Sequence, residues 1–464
     1  MPLLLPSLPS KTACLLALGA ALACHGAQAQ NLQQSYELAR AYDSAYQAAQ
    51  AQLDAAASRA EQARAGLLPT VGLGGGLSRG QTENTNPAVT RNVTTQSLTL
   101  NASQPLYRPA NRITLEQAQR NVEVAQAQLD FALQDLTVRV SQAYFDVLAA
   151  QDTLSVVQAQ KAAVAEQLAS AKRNFEVGTS TITDSREAQA RYDLVTAQEI
   201  AAENDLRVKQ LALDQLVGQT NVKPRPLALP VVLPSTLPSD VNHWVDLSDR
   251  SQPQIRQARL ALDGARLETA KAQTGHLPTV DLTASVGKAR YPDGTTTSAL
   301  STRVNTGSVG VTLNLPLFAG FATQNRIRET LSLEQKSEAD LETARRNVAQ
   351  ATRAAFFGVQ SGQGQVQALE AAEASSQSAL DANKLGYQVG VRINIDVLNS
   401  QSQLYQTKRD LAQARYNVLL GTLKLRQAAG TLTQEDVARI NGLLAPSPAT
   451  GATSTGTATG TKQP

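Results

Sequence analysis

The chain has 464 residues, 42% of them hydrophobic but only 4% aromatic, with a formal net charge of +3. So few aromatic residues argue against large globular cores, and the near-neutral balance argues against a polyanion such as nucleic acid as partner. Both cysteines, Cys14 and Cys24, lie in residues 1–29, which read as an export signal: Lys11, the apolar run Thr12 to Ala23, then Ala27-Gln28-Ala29 before Gln30. That run is too short for a stable membrane anchor. Cleavage after Ala29 would remove both thiols, and with them any disulfide or thiolate metal site. The other reading is a lipoprotein signal ending at Cys24, where Ala21-Leu22-Ala23 matches the usual leucine-first pattern poorly. No later stretch approaches the roughly 18 apolar residues of a membrane helix. An exported chain of this kind is secreted, periplasmic, or a β-barrel of an outer membrane.

Asn31 to Ala65 reads as one helix, stopped at Gly66-Leu67-Leu68-Pro69. The period then falls to two. Val71, Leu73 and Leu77 alternate with small or polar neighbours over residues 70–80. Leu98, Leu100, Ala102 and Leu106 alternate with Ser97, Thr99, Asn101 and Ser103 over residues 95–107. These patterns predict two strands of about 10 residues, joined by a polar loop from Gln81 to Asn92. Residues 111–177 contain no proline or glycine, and Leu115, Val122, Leu129, Leu136, Ala143, Ala150, Val157 and Val164 form a heptad stripe. A helix of that length would extend about 100 Å, too far for a compact globule. It breaks at Gly178, and Ser185 to Val217 reads as a shorter helix.

Residues 219–242 form a proline-rich linker, and the pattern of residues 30–218 then recurs in residues 243–432. Gly66-Leu67-Leu68-Pro69 is answered by Gly275-His276-Leu277-Pro278, and Pro105-Leu106-Tyr107 by Pro316-Leu317-Phe318. Tyr144-Phe145 is answered by Phe356-Phe357, and Phe175-Glu176-Val177-Gly178 by Tyr387-Gln388-Val389-Gly390. The offsets are all about 210 residues, so the chain is a duplication of helix, two strands, long helix and helix. In the second copy the strands are predicted at residues 279–291 and 305–318, and the long helix at 322–388. The two shorter helices of each copy together match its long one in length. Stacked end to end they would lie beside it, with the linker at mid-height. Residues 433–464 form a C-terminal segment whose tail, Ala445 to Pro464, is a run of Thr, Gly, Ala and Ser that cannot bury enough surface to order itself.

Four strands cannot close a membrane barrel, since the smallest have about 8, and an open sheet cannot sit in lipid with unpaired edges. Several copies must therefore share one barrel. The strands place aliphatic residues on one face and Thr, Asn, Ser and Gly on the other, as lipid outside and water inside require. Tyr107, Tyr291, Phe318 and Phe321 stand at strand ends, where an interface girdle is expected.

Taken in order, Gly66-Leu67-Leu68-Pro69 with its copy at Gly275, Asn174 to Gly178 with Ile182-Thr183-Asp184, Gly386 to Gly390 with Ile395-Asp396-Val397-Leu398, and Ala414-Arg415-Tyr416-Asn417 leading to Gly430-Thr431-Leu432 resemble the TolC family of outer-membrane channel proteins. The resemblance covers essentially the whole chain after the signal. It implies a mainly α fold with membrane β: a homotrimer whose 12-stranded barrel in the outer membrane of a Gram-negative bacterium continues as an α-helical tunnel in the periplasm. It also implies a passive exit duct for type I protein secretion or multidrug efflux. A periplasmic adaptor protein and an inner-membrane transporter, an ABC exporter or a proton-driven RND-type pump, would open it, with no cofactor. The C-terminal motifs look more like the protein-secretion branch than the lipoprotein drug-efflux branch. Carried over position by position, Tyr387 and Arg392 resemble residues that tie one hairpin to its neighbour through Thr183 and Asp184. Asp396 resembles a carboxylate of the pore constriction, and Val177, Gly178, Val389 and Gly390 the hairpin tips that meet the adaptor. Asn399 stands where close relatives have a second aspartate, so the carboxylate ring should be weaker here.

The same residues have plainer roles open to them. Gly178 and Gly390 fit helix C-caps, Asp184 with Glu187 fits an N-terminal capping pair, and Asp396 can cap the last long helix. Trp244 fits an anchor of the linker against the helices. Catalysis has little to stand on, because only His243 and His276 follow the signal and no nucleophile, nucleotide-binding or zinc pattern accompanies them. A structural periplasmic coiled-coil protein would explain the helices but not four alternating segments in duplicated positions. An adaptor would carry one hairpin rather than a repeated unit.

Overall fold

The computed structural model describes residues 30–86, 88–228, 230–231, 233 and 238–445. The export signal, much of the proline-rich linker and the C-terminal tail lie outside the described residues. In chain order the elements are α1 (Leu32–Tyr42), α2 (Ser44–Ala65), β1 (Thr70–Thr85), β2 (Ala88–Tyr107), α3 (Pro109–Glu176) and α4 (Ile182–Val217). They continue as α5 (Val241–Ser251), α6 (Pro253–Gln273), β3 (Thr279–Tyr291), β4 (Thr302–Asn314), α7 (Ala322–Gln388), α8 (Asn394–Ala428) and α9 (Gln434–Asn441).

Several boundaries differ from the sequence reading. The helix expected over Asn31–Ala65 is two, broken at Asp43, which has extended backbone. The Asp43 carboxylate, 8% exposed, receives two hydrogen bonds from the Arg139 guanidinium at 3.0 and 3.2 Å. In the second copy the break falls at Gln252, with Pro253 opening the next helix. The polar loop expected from Gln81 to Asn92 is a continuation of both strands, because ladder hydrogen bonds need only backbone and Gln81 to Thr85 pair with Asn92 to Ala88. The last strand stops at Asn314, short of residue 318, ahead of Pro316, which has no N–H to donate. The long helix expected at 111–177 starts at Pro109, which suits a first helical turn. The helix expected from Ser185 starts at Ile182, for a reason given below.

The described chain divides into two compact units. One holds the residues up to Ser44, Leu133–Ser248 and those from Ala351 onwards. Its helices bury a series of small clusters rather than one core. Val157, Val164, Leu168 and Ala171 of α3 pack with Ala188 and Val195 of α4 and Leu398 of α8. Trp244 packs with Phe356, Val359, Leu425 and Ala429, and its indole N–H donates to the Pro238 carbonyl at 2.9 Å. Helices α7 and α8 approach closely at reciprocal notches. Built at Gly362, a Cβ would stand 2.9 Å from Val418 Cγ2; built at Gly421, it would stand 3.2 Å from Val359 Cγ2. Some of the polar groups packed in this unit are paired across long stretches of sequence. The Tyr416 hydroxyl donates to Asp152 at 2.7 Å, and Asp436 accepts from Arg426 at 2.9 Å and from Arg439.

The other unit holds Ala45–Ala132 and Asp249–Gln350. Its sheet has the order β1-β2-β3-β4, antiparallel throughout, so the two copies join at β2–β3. The register sorts the side chains. Val71, Ala102, Ala284 and Val309 share one row, and Leu73, Leu100, Val286 and Gly307 the next on the same face. Gly72, Asn101, Ser285 and Ser308 form a row of the opposite face, followed by Gly74, Thr99, Gly287 and Thr306. Aliphatic and polar faces are thus separated across all four strands. At the helix-proximal end Arg108 grips Asp281 with two hydrogen bonds, of 2.8 and 2.6 Å.

Candidate functional site

The sequence-predicted site residues cluster at the turns α3–α4 and α7–α8, which are built alike. Asn174 O accepts from the N–H groups of Thr179 and Ser180, and Gly386 O accepts from those of Val391 and Arg392. Gly178 and Gly390 have φ of 75° and 78°, which L side chains adopt only with strain. Both turns present apolar side chains to solvent: Val177 is 72% exposed, Val389 65%, Val391 78% and Ile393 61%. Val391 and Ile393 extend the predicted tip.

Tyr387, Arg392 and Asp184 of the predicted gate each have a partner nearby. Thr181 is the N-cap of α4: its hydroxyl accepts from the Asp184 N–H, and the Asp184 carboxylate accepts from the Thr181 N–H. Asp184 therefore acts at the third position of a capping box and not as the cap itself, which is why the helix begins before Ser185. Asp396 stands in the first turn of α8, whose N-cap is Ile393 without a side-chain cap, so Asp396 does not cap that helix. Its carboxylate lies 3.6 Å from the Arg392 guanidinium. Tyr387 packs on Leu380, Val397 and Leu404 and accepts a hydrogen bond from the Asn174 amide at 3.3 Å. Thr183 is exposed. Within one chain, then, Tyr387 and Arg392 are not joined to Thr183 and Asp184.

Asn394 is the residue that sequence reasoning missed. Fully buried, it accepts from the Gln167 amide at 2.5 Å and donates to the Asp184 carbonyl at 3.2 Å, so it ties one hairpin to the other. Nearby, Arg191 donates to the Asn399 side chain at 3.1 Å. A buried asparagine at the start of a helix looks in sequence like any capping residue, so no local pattern marks it. The described residues hold no cluster of His, Cys, Asp and Glu suited to a metal ion, and no helix long and apolar enough to cross a membrane.

The family model for outer membrane efflux proteins matches residues 35–219 and 244–431, one span for each copy of the duplication. The chain belongs to the outer membrane efflux protein family. Among its relatives is the outer membrane protein TolC of Vibrio cholerae, 33% identical over 89% of this chain and 93% of that protein. Another is the proteases secretion protein PrtF of Dickeya chrysanthemi, 30% identical over 97% of this chain and 99% of that protein. The crystal structure of VceC from Vibrio cholerae shares the fold with a TM-score of 0.75, covering 86% of this chain and 96% of that one at 20% identity. As a member of the outer membrane efflux protein family, the chain is a channel protein. Both spans of the family match end near the helix that closes each copy, and the unmatched stretch between them contains the proline-rich linker.

Proposed function

We propose that three copies of this chain pool their sheets into one 12-stranded barrel in the outer membrane, continued by their helices as a tunnel in the periplasm. The assembly is an exit duct for type I protein secretion and efflux, opened by an adaptor and an inner-membrane transporter. The observation that carries this reading is a four-stranded sheet with one aliphatic face, one polar face and two unpaired edges. Such a sheet is stable in lipid only when its edges are closed by other copies. Unburied aliphatic residues on the helices support it: Leu194, Ile200, Val208 and Leu211 of α4 and Leu331 and Leu333 of α7 are all exposed in the single chain. PrtF, by its name a proteases secretion protein, matches almost end to end and favours protein cargo.

The tips are the entrance. Val177, Gly178, Val389 and Gly390, with Val391 and Ile393, form the apolar surface that an adaptor covers. Arg392, with a side chain 58% exposed, and Tyr387 are the groups that clamp Thr183 and Asp184 of a neighbouring copy. Charge-assisted contacts of this kind are worth roughly 1.5–3 kcal/mol each, so a partner can outcompete them. Asp396 supplies one carboxylate per copy to a ring in the constriction. In planar bilayers the full chain should form long-lived pores, and Tyr387→Phe with Arg392→Ser should raise their conductance several-fold. Absence of pores would overturn the duct, and unchanged conductance in the double variant would overturn the clamp.

A further inference from the structure

Beyond the aliphatic rows of the sheet, towards the β1–β2 and β3–β4 turns, the same face changes character. Register places Leu77 with Gln96, Arg290 and Arg303, and the preceding row has Leu98, Lys288 and Asn305; Arg79, opposite Thr94, lies one row further out. Arg79, Lys288, Arg290 and Arg303 are all exposed, and among the described residues none of them forms an ion pair or side-chain hydrogen bond. With strands about 4.8 Å apart and about 3.4 Å of rise per residue, the four fall within roughly 17 Å of each other. Arg290 faces Arg303 directly across the ladder, where like charges repel. The acidic groups nearby are Glu83, on the same face of β1, and Asp293, which already accepts a hydrogen bond from the Thr94 hydroxyl at 2.5 Å. The patch remains cationic, and its central pair is repulsive until an anion sits between them.

We propose that this patch binds the phosphate-bearing headgroups of anionic lipid in the outer leaflet. The inference rests on the membrane reading above, which turns the aliphatic rows towards acyl chains. On that reading the four cations stand at headgroup level at the outward end, while Phe318 and Phe321 mark the opposite boundary, their rings edge to face at 5.4 Å. A phosphate dispersed in solution would meet only an open, flat surface. A headgroup held there by its own acyl chains against Leu73, Leu98 and Leu100 is retained by both parts of the face.

The test uses the full chain in detergent, with native mass spectrometry reading retained bisphosphorylated lipid A against the same lipid with its phosphates removed. Wild type should retain the phosphorylated form preferentially. Arg290→Gln with Arg303→Gln should lower that retention by about 30-fold, the effect of two surface cations on an anionic headgroup. Arg79→Gln with Lys288→Gln, on other rows, should lower it comparably and serves as the second arm should the first pair fail to fold. Equal retention of both lipid forms, unchanged retention in both variants, or displacement by millimolar inorganic phosphate would overturn the inference. Insertion into phosphatidylethanolamine vesicles separates this from the reading beneath it. Normal insertion with lost selectivity supports the patch, normal insertion with charge-blind retention refutes the patch alone, and no insertion refutes both.

Discussion

Asp396 and Arg392 lie 3.6 Å apart on one hairpin, and that single contact divides two roles for the carboxylate. As a pore residue it contributes charge to the constriction; as a local partner it only steadies Arg392. Asp396→Asn keeps the shape and removes the charge, and because α8 is not capped by this side chain the helix loses little. Cation preference of the bilayer pore and its block by trivalent cations should both fall, with assembly unchanged. Wild-type selectivity in this variant would leave Asp396 a local partner. A second residue-scale consequence concerns Asp152, whose carboxyl is held above its ordinary range by burial, against the opposing effect of the Tyr416 hydroxyl and the charge of Arg415. A raised carboxyl favours the fold below its unfolded value, and that contribution is lost as pH rises through the folded value. Asp152→Asn should therefore flatten stability just above pH 4, cost little at neutral pH, and still accept from Tyr416. Tyr416→Phe, which leaves the carboxylate buried without its donor, should cost about 2 kcal/mol at neutral pH and less in acid, measured by urea unfolding. The turn glycines were legible because helix ends have local chemistry. The Tyr416–Asp152 bond and the Asn394 bridge join residues far apart in sequence, and no spacing announces them.

At the scale of elements, the first long helix was legible because a long run without glycine or proline and a heptad stripe leave few alternatives, and the second because it repeats the first. The breaks at Asp43 and Gln252 were not. Asp43 carries no helix-breaking signature, and its extended backbone goes with a carboxylate bonded to Arg139, a residue nearly a hundred positions away. Strand ends were misjudged for a related reason: alternation reports a half-buried face, and it fades where the ladder continues among polar residues. Glycines inside α7 separate packing from propensity. Gly362 faces Val418, whereas Gly364 has nothing within 4 Å of a built Cβ. Gly364→Ala should stabilise by about 0.5–1 kcal/mol through helix propensity, and Gly362→Ala should destabilise by about 1–2 kcal/mol as the Cβ meets Val418. Thermal unfolding of the two variants side by side checks both. Equal shifts of one sign would mean that α7 and α8 do not interlock there.

For the whole molecule the decisive fact is an unfinished sheet. Edge strands β1 and β4 leave backbone donors and acceptors unpaired along their outer sides, and each such group costs several kcal/mol in hydrocarbon. In the shared barrel proposed above, other copies supply the missing strands, and a closed ring of identical chains would join β4 of one to β1 of the next. The expected particle in mild detergent is a trimer. Cysteine provides a direct test, because the only native thiols are Cys14 and Cys24, which can be replaced. Single cysteines introduced pairwise on β1 and β4 should, at some register, oxidise into a ladder of bands that ends at three chains. The same pairs placed on β2 and β3 should form only intrachain bonds, since those strands already pair with each other. A ladder running past three would replace the trimer with a larger ring. A monodisperse monomer retaining full helix and strand content, with no interchain band at any register, would mean that the edges are covered by something other than a copy of this chain, and the shared barrel would be wrong.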